Sequence, residues 1–271
     1  MQTIVANYIH QIKLTLQTYK GSLLFVRKHR LWEGFWNYGW VSRFLIFVSI
    51  ILGFKFLAIF WEWANKAMHS DTSQMKNIAF GMASDLYNEG FAEIFSGNMR
   101  YVMLILLEVI IFHVCRRTLE LKMGDLPDPT FKEFIHAQIR MLKVGILIMV
   151  LGKVIVAVAS IPLGFTGISW LLKPGFQKFI EFFFLGFAVI DNYHEQFHLT
   201  IEESLKNSLN YVGVALGIGV VLYVLMAIPI IGPIIGPLLA TVTTTLVMYE
   251  VSDLHRHHKA LPGATEVEDV V

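Results

Sequence analysis

The chain has little charge. Asp, Glu, Lys and Arg make up 16% of its 271 residues, against about 25% in soluble domains, while 55% of residues are hydrophobic and the mean hydropathy is +0.57. That balance excludes a water-soluble globular domain and predicts an integral membrane protein. A formal net charge of +1 leaves no basic surplus for nucleic acid. One cysteine, Cys115, excludes an internal disulfide. The sequence also lacks a Gly-rich phosphate loop, a nucleophile elbow and a dinucleotide fingerprint. A nucleotide-driven pump is therefore not expected from this chain, and neither a cofactor nor an enzymatic activity is expected. Residues 1–20 have no continuous apolar core, so no cleavable signal peptide is expected there.

What the chain does have is apolar runs joined by proline corners. Ile228–Pro237 reads Ile-Pro-Ile-Ile-Gly-Pro-Ile-Ile-Gly-Pro. Proline at every fourth position removes helical donors and crowds the preceding turn, so a corner is expected. The stretch has no polar side chain, so the corner should sit in apolar surroundings. Its flanking arms, Tyr211–Ala227 and Leu238–Tyr249, are 17 and 12 residues long. A bilayer crossing takes roughly 20 residues. The pair therefore reads as a hairpin that enters the membrane and returns to the same side, with non-helical backbone sheltered by protein or a wet cavity.

A similar unit precedes it. Val144–Gly145 opens an apolar run ending at Ile161–Pro162, and Val212–Gly213 opens one ending at Ile228–Pro229. The spacings are 17 and 16 residues. Polar segments, Thr130–Lys143 and Thr200–Asn210, lead into the two arms. The first corner spans Ile161–Pro174, and the Phe-rich arm Phe176–Ile190 returns from it. Acids and histidines follow each hairpin: Asp191, His194 and His198, then Asp253, His255, His257 and His258. This reads as a weak internal repeat. Gly213 and Gly217 make a small-xxx-small pair for close helix approach, within the chain or between subunits.

Upstream, Ile4, Val5, Tyr8, Ile9, Ile12, Leu16 and Tyr19 fall on one helical face, the pattern of an interfacial helix or of a helix packed on its own protein. Arg27, Lys28 and Arg30 then stand beside Trp32, Trp36 and Trp40, the sequence form of a membrane–water boundary. Arg43–Trp63 and Arg100–Cys115 are the two expected full spans, joined by a polar segment of short amphipathic helices. Basic residues precede the first span and follow the second. Positive-inside then puts both termini and both hairpin bases in the cytoplasm. The fold expected is all-α: a polytopic membrane protein with two full transmembrane helices, two re-entrant hairpins and amphipathic interfacial helices. One domain covers residues 1–261, as an interfacial segment 1–42, the spans 43–123 and the hairpins 130–254. An acidic flexible tail, 262–271, follows.

From Thr130 onward the chain resembles a known family. Phe184-Leu185-Gly186-Phe187 leading to Asp191-Asn192-Tyr193, and then Ile228-Pro229 to Pro237, resemble the frame of the CysZ sulfate transporter family and its etoposide-induced protein relatives. The resemblance covers about the last 140 residues and rests on the order and spacing of these segments. It implies a multi-pass protein of the bacterial inner membrane, a homo-oligomer, and uptake of sulfate or a related oxyanion. It also implies an oxyanion site at basic residues before the first span, here Arg27, Lys28 and Arg30. The chain departs from the family at Tyr38-Gly39-Trp40, where a Pro-rich start is usual, and at Gly232, where Asn is frequent.

Sulfate is a dianion and needs fixed donors, either cationic side chains or backbone N–H groups. Arg27, Lys28 and Arg30 are candidates, and the same residues would equally touch lipid headgroups. Gly164, Gly232 and Gly236 would let an ion approach the hairpin backbone. Lys55, Glu108, His113 and Lys153 are ionisable residues within apolar runs and are functional candidates on that ground. Glu108 with Lys55 or Lys153 is expected to form a buried structural pair, with a proton-linked site as the alternative. A second class competes. His194-Glu195-Gln196-Phe197-His198 satisfies H-E-x-x-H, which on a helix would hold zinc between His194 and His198 with Glu195 as base. The alternatives to transport are thus a non-transporting scaffold or accessory subunit and, behind it, a zinc-dependent membrane protease.

Overall fold

The computed structural model of the protein describes residues 2–33, 61, 65, 99–124, 131–165, 168–228 and 232–258. Lys55, the first expected span, most of the polar connection, residues 229–231 and the tail lie outside them. The described segments are helical: α1 (Gln2–His29), α2 (Met99–Met123), α3 (Phe131–Gly164), α4 (Ser169–Glu195), α5 (Ile201–Ser208), a 3-10 turn (Leu209–Tyr211), α6 (Val212–Met226), α7 (Gly232–Val251) and α8 (Leu254–His258). Three segments are long and apolar enough to cross a membrane: Ile135–Gly164, Ile201–Met226 and Ile234–Val251. The protein is an all-helical, multi-pass membrane protein.

Both corners are tighter than the proline spacing predicts. α3 carries Pro162 inside its last turns, and α4 carries Pro174 near its start. α7 begins at Gly232 and carries Pro237. Pro233, the second residue of α7, is tolerated because the first N–H groups have no intrahelical acceptor, whereas Pro174 and Pro237 fall in the second turn and each remove one helical hydrogen bond without ending the helix. The helices therefore reclaim most of each expected corner. The arms of the first hairpin are 34 and 27 residues long. At 1.5 Å per residue α3 is about 51 Å long, well beyond the ~30 Å hydrocarbon core.

The core forms where α4, α6 and α7 meet. Phe183–Ile190 of α4 pack on Val214, Ala215, Ile218 and Leu222 of α6 and on Ala240, Val247 and Met248 of α7. Two glycines make that approach possible. A Cβ on Gly186 would sit 1.9 Å from the Ala215 carbonyl oxygen, and one on Gly219 would sit 1.8 Å from that of Phe182. α2 lies against α3 and α7, and α3 lies outermost against α4.

α1 crosses α6 and α7, and its faces are reversed from those of a soluble helix. Gln11, Thr15 and Ser22 point inward and are buried, whereas Val5, Ile9, Leu16, Leu23 and Leu24 are exposed. Each inward polar group is satisfied. Gln11 Nε2 donates to the Asn210 carbonyl at 3.1 Å, and its Oε1 accepts from Gly213 N at 3.0 Å. Thr15 donates to the Gln11 carbonyl at 2.8 Å, and Ser22 Oγ lies 2.7 Å from Thr243 Oγ1. The Gly213/Gly217 pair receives this helix: added Cβ atoms would meet Tyr8 O at 2.3 Å and Thr15 at 3.0 Å. The small-residue pair thus works within the chain. The reversal is partial: Leu14, Tyr19 and Val26 pack inward beside these groups, and Lys13 and Lys20 stand outward with the apolar stripe.

Candidate functional site

The polar ends of α2, α3 and α4 converge at the base of the first hairpin. There Arg140 of α3 meets Asp191 of α4. Arg140 Nε donates to Asp191 Oδ2 at 2.9 Å and Nη2 to Oδ1 at 2.7 Å, a bidentate pair with side chains 6% and 2% exposed. Nη1 donates to the Leu199 carbonyl. Glu195 Oε2 lies 3.9 Å from Arg140 Nε, and Glu195 Oε1 lies 3.7 Å from His136 Nδ1.

The end of α4 is shaped to present these groups. His198 has φ 58°, a left-handed conformation. Its N–H donates to the Glu195 carbonyl at 2.9 Å, and Leu199 N–H donates to the His194 carbonyl at 3.3 Å. This is a Schellman closure, with His198 where glycine is commonest. It stops the helix and leaves the Leu199 carbonyl for Arg140. Thr200 then caps α5: its Oγ1 accepts from Glu203 N at 3.3 Å while Glu203 Oε2 accepts from Thr200 N at 2.8 Å.

Beside this ion pair lies a cavity of about 730 Å³, within the range of small-molecule sites. Its charged lining is Arg116, Lys132, Arg140 and Lys143 against one acid, Glu195, with His136 and His198 at the edge. Burial pushes the Glu195 carboxyl up to about 7, with Arg140 opposing and Asp191 adding to the shift. Beneath it, His194 is fully buried, and Nδ1 lies 2.9 Å from Ser204 Oγ. Burial, with Arg140 nearby, lowers His194 to about 3, so its ring is neutral.

The candidates read from sequence fare differently. Arg27, Lys28 and Arg30 stand at the C-terminal end of α1, where cations complement the helix dipole. Arg30 pairs with Glu33 at 3.0 Å on the surface. A groove beside them is lined by Gly21, Leu24 and Phe25 as well as Arg27 and Lys28. Lys153 is exposed on α3 while Glu108 is fully buried, so the expected Glu108–Lys153 pair does not form. His113, on the same helix as Glu108, is partly buried.

Two of the glycines serve packing. A Cβ at Gly232 would lie 1.9 Å from the Leu225 carbonyl oxygen, and one at Gly236 would lie 3.2 Å from Leu225 Cβ. Their missing side chains let α6 and α7 close on each other. Gly164 is exposed, with Lys173 Nζ 3.3 Å from where its Cβ would be. The H-E-x-x-H geometry is likewise corrected. α4 ends at Glu195 and His198 turns left-handed, so His194 and His198 do not share a helical face. Among the described residues, no group of three or more His, Cys, Asp and Glu side chains is placed to hold a metal.

Arg140, Lys132 and Lys143 escaped the sequence reading because they look like the polar entry to an apolar run. The available signal was one Arg before the first hairpin and one Asp after it. These features define a multi-pass helical membrane protein with a basic pocket at the base of its first hairpin. No protein-family model, curated protein or solved structure matches the chain.

Proposed function

We propose that the protein binds a sulfate-class oxyanion and passes it across the bacterial inner membrane, with the basic pocket as its cytoplasmic vestibule. One observation carries this reading: among the described residues, four cationic side chains and a single carboxylate line one cavity at the foot of a long apolar helix. Lys132 and Lys143 are exposed and would draw a dianion to the mouth. The Arg140–Asp191 pair would fix the floor. The resemblance to CysZ-like proteins supports sulfate as the ion, a homo-oligomer as the working unit, hairpins that turn inside the bilayer, and cytoplasmic termini. We place the anion here rather than at Arg27–Arg30, because the pocket gathers cations from two helices around one cavity, whereas Arg27 and Lys28 lie along the surface of a single helix.

A second reading has its own observation. The Arg140 donors described are already committed to Asp191 and Leu199, which suits a non-transporting scaffold whose base is purely structural.

Labelled sulfate uptake into proteoliposomes separates the two. Saturable flux is expected, reduced several-fold by Lys132→Ala with Lys143→Ala and little changed by Arg27→Ala with Arg30→Ala. Flux equal to that of empty liposomes, with folded protein confirmed, would overturn transport and leave the scaffold. Loss confined to the Arg27/Arg30 variant would move the site to α1.

A further inference from the structure

Behind the pocket floor, Glu108 of α2 is fully buried, and among the described residues neither of its carboxylate oxygens has a hydrogen-bond partner of ordinary geometry. Asn192 lies beside it, but the Asn192 amide donates to the Ala188 carbonyl at 3.1 Å, and no hydrogen bond of ordinary geometry reaches Glu108. The charged groups that face Glu108 are Asp191 and Glu195 from α4 and Arg140 from α3. Its own helix contributes Cys115. From α7, Thr245 meets this side of α2, donating its hydroxyl to Cys115 Sγ at 3.4 Å.

The charges do not balance. Three carboxylates, Glu108, Asp191 and Glu195, share one guanidinium. Arg140 spends two of its donor nitrogens on Asp191 and the third on Leu199. Glu195 retains contacts with Arg140 and with His136. Among the described residues Glu108 has no ion pair, and its nearest polar company is the Asn192 amide and the more distant Arg140. An ionised carboxylate there would lose its hydration and face two like charges, against which Asn192 and the already paired Arg140 offer little. A neutral acid avoids both costs. Unpaired acids at membrane depth are functional by default.

We propose that Glu108 is an internal proton-binding site, occupied by an exchangeable proton, with its route to water running past Glu195 into the basic pocket. This stands whether or not the pocket binds an oxyanion. The ligand is a proton, and a metal cation is the competing occupant.

Infrared difference spectroscopy of the purified protein in lipid tests it. In mildly alkaline buffer Glu195 is ionised, so a protonated carboxyl band should come from Glu108. The expected result is a carboxylic-acid carbonyl band in the wild type that shifts in D2O and is absent from Glu108→Gln. The neutral isostere should fold and melt no lower than the wild type. Should Glu108→Gln not fold, Glu195→Gln decides: survival of the band supports Glu108, and its loss puts the proton on Glu195 and overturns the proposal. A band missing from the wild type means Glu108 is ionised and also overturns it. So does a melting temperature raised by sodium over potassium in the wild type but not in Glu108→Gln, which would indicate a metal cation.

Discussion

The two hairpins look alike in sequence and are held in different ways. Within their most apolar stretches, α3 is 17% buried, against 44% for Ile201–Met226 and 61% for α7. Hydropathy does not explain this, because the most exposed helix is also the most apolar of the three. Small residues do. α6 offers Gly213 and Gly217 to α1 and Gly219 to α4, so backbone meets backbone or a short side chain on two sides. α3 has Gly145 against the flexible end of Ile105 and Gly152 at an ordinary 3.6 Å from Phe184. The second hairpin is sealed along its length by close packing. In the first, the inner arm α4 lies in the core, while the outer arm α3 is pinned at its base by Arg140 and Asp191 and leaves most of its apolar surface exposed. Apolarity puts a helix in the membrane, and shape decides whether it faces protein or lipid there.

The largest expected effect breaks the pin. Arg140→Ala leaves Asp191 buried without a counter-charge and should cost about 3–5 kcal/mol. Unfolding in detergent would read it, and Arg140→Met with Asp191→Leu should recover much of the loss. Equal destabilisation in the double variant would mean that packing, not charge, holds α3. Next comes the seal. Gly219→Ala drives a methyl into the Phe182 carbonyl and should cost about 1–3 kcal/mol or more. Gly152→Ala makes only van der Waals contact and should stay within about 0.5 kcal/mol. Similar losses at both sites would erase the distinction between the hairpins.

The smallest effect is a slope with pH. Folding raises the Glu195 carboxyl from 4.5 to about 7. The folded protein therefore binds the extra proton, and this contribution is complete below about 4.5 and lost as the pH rises to about 7. Melting temperature should decline across that window, and Glu195→Gln should flatten the decline. A wild-type curve that rises there would put Glu195 in a favourable ion pair instead.

Much of the frame was legible. The Ile-Pro corners, the Gly213/Gly217 pair and the amphipathic α1 each depend on spacings of a few residues. The corners came out shorter because Pro233 sits in the first turn of α7, where a proline costs little, and because the helices run through Pro162, Pro174 and Pro237, which the spacing rule alone overlooks. The site was less legible because it is built from afar. Arg140 and Asp191 are 51 residues apart, and no local pattern announces that they meet. H-E-x-x-H misled for the opposite reason. Its spacing is right, but the chain uses His198 to end a helix instead of extending it.

The reversed faces of α1 bear on the order of assembly. Its outward stripe of Val5, Ile9, Leu16, Leu23 and Leu24 can dissolve in the membrane surface as soon as the helix is made. Gln11, Thr15 and Ser22 then stay wetted until α6 and α7 arrive with Gly213, Gly217 and Thr243. α1 can thus lie at the interface before it docks. Its docking then takes Leu14, Tyr19 and Val26 into the core together with the polar groups.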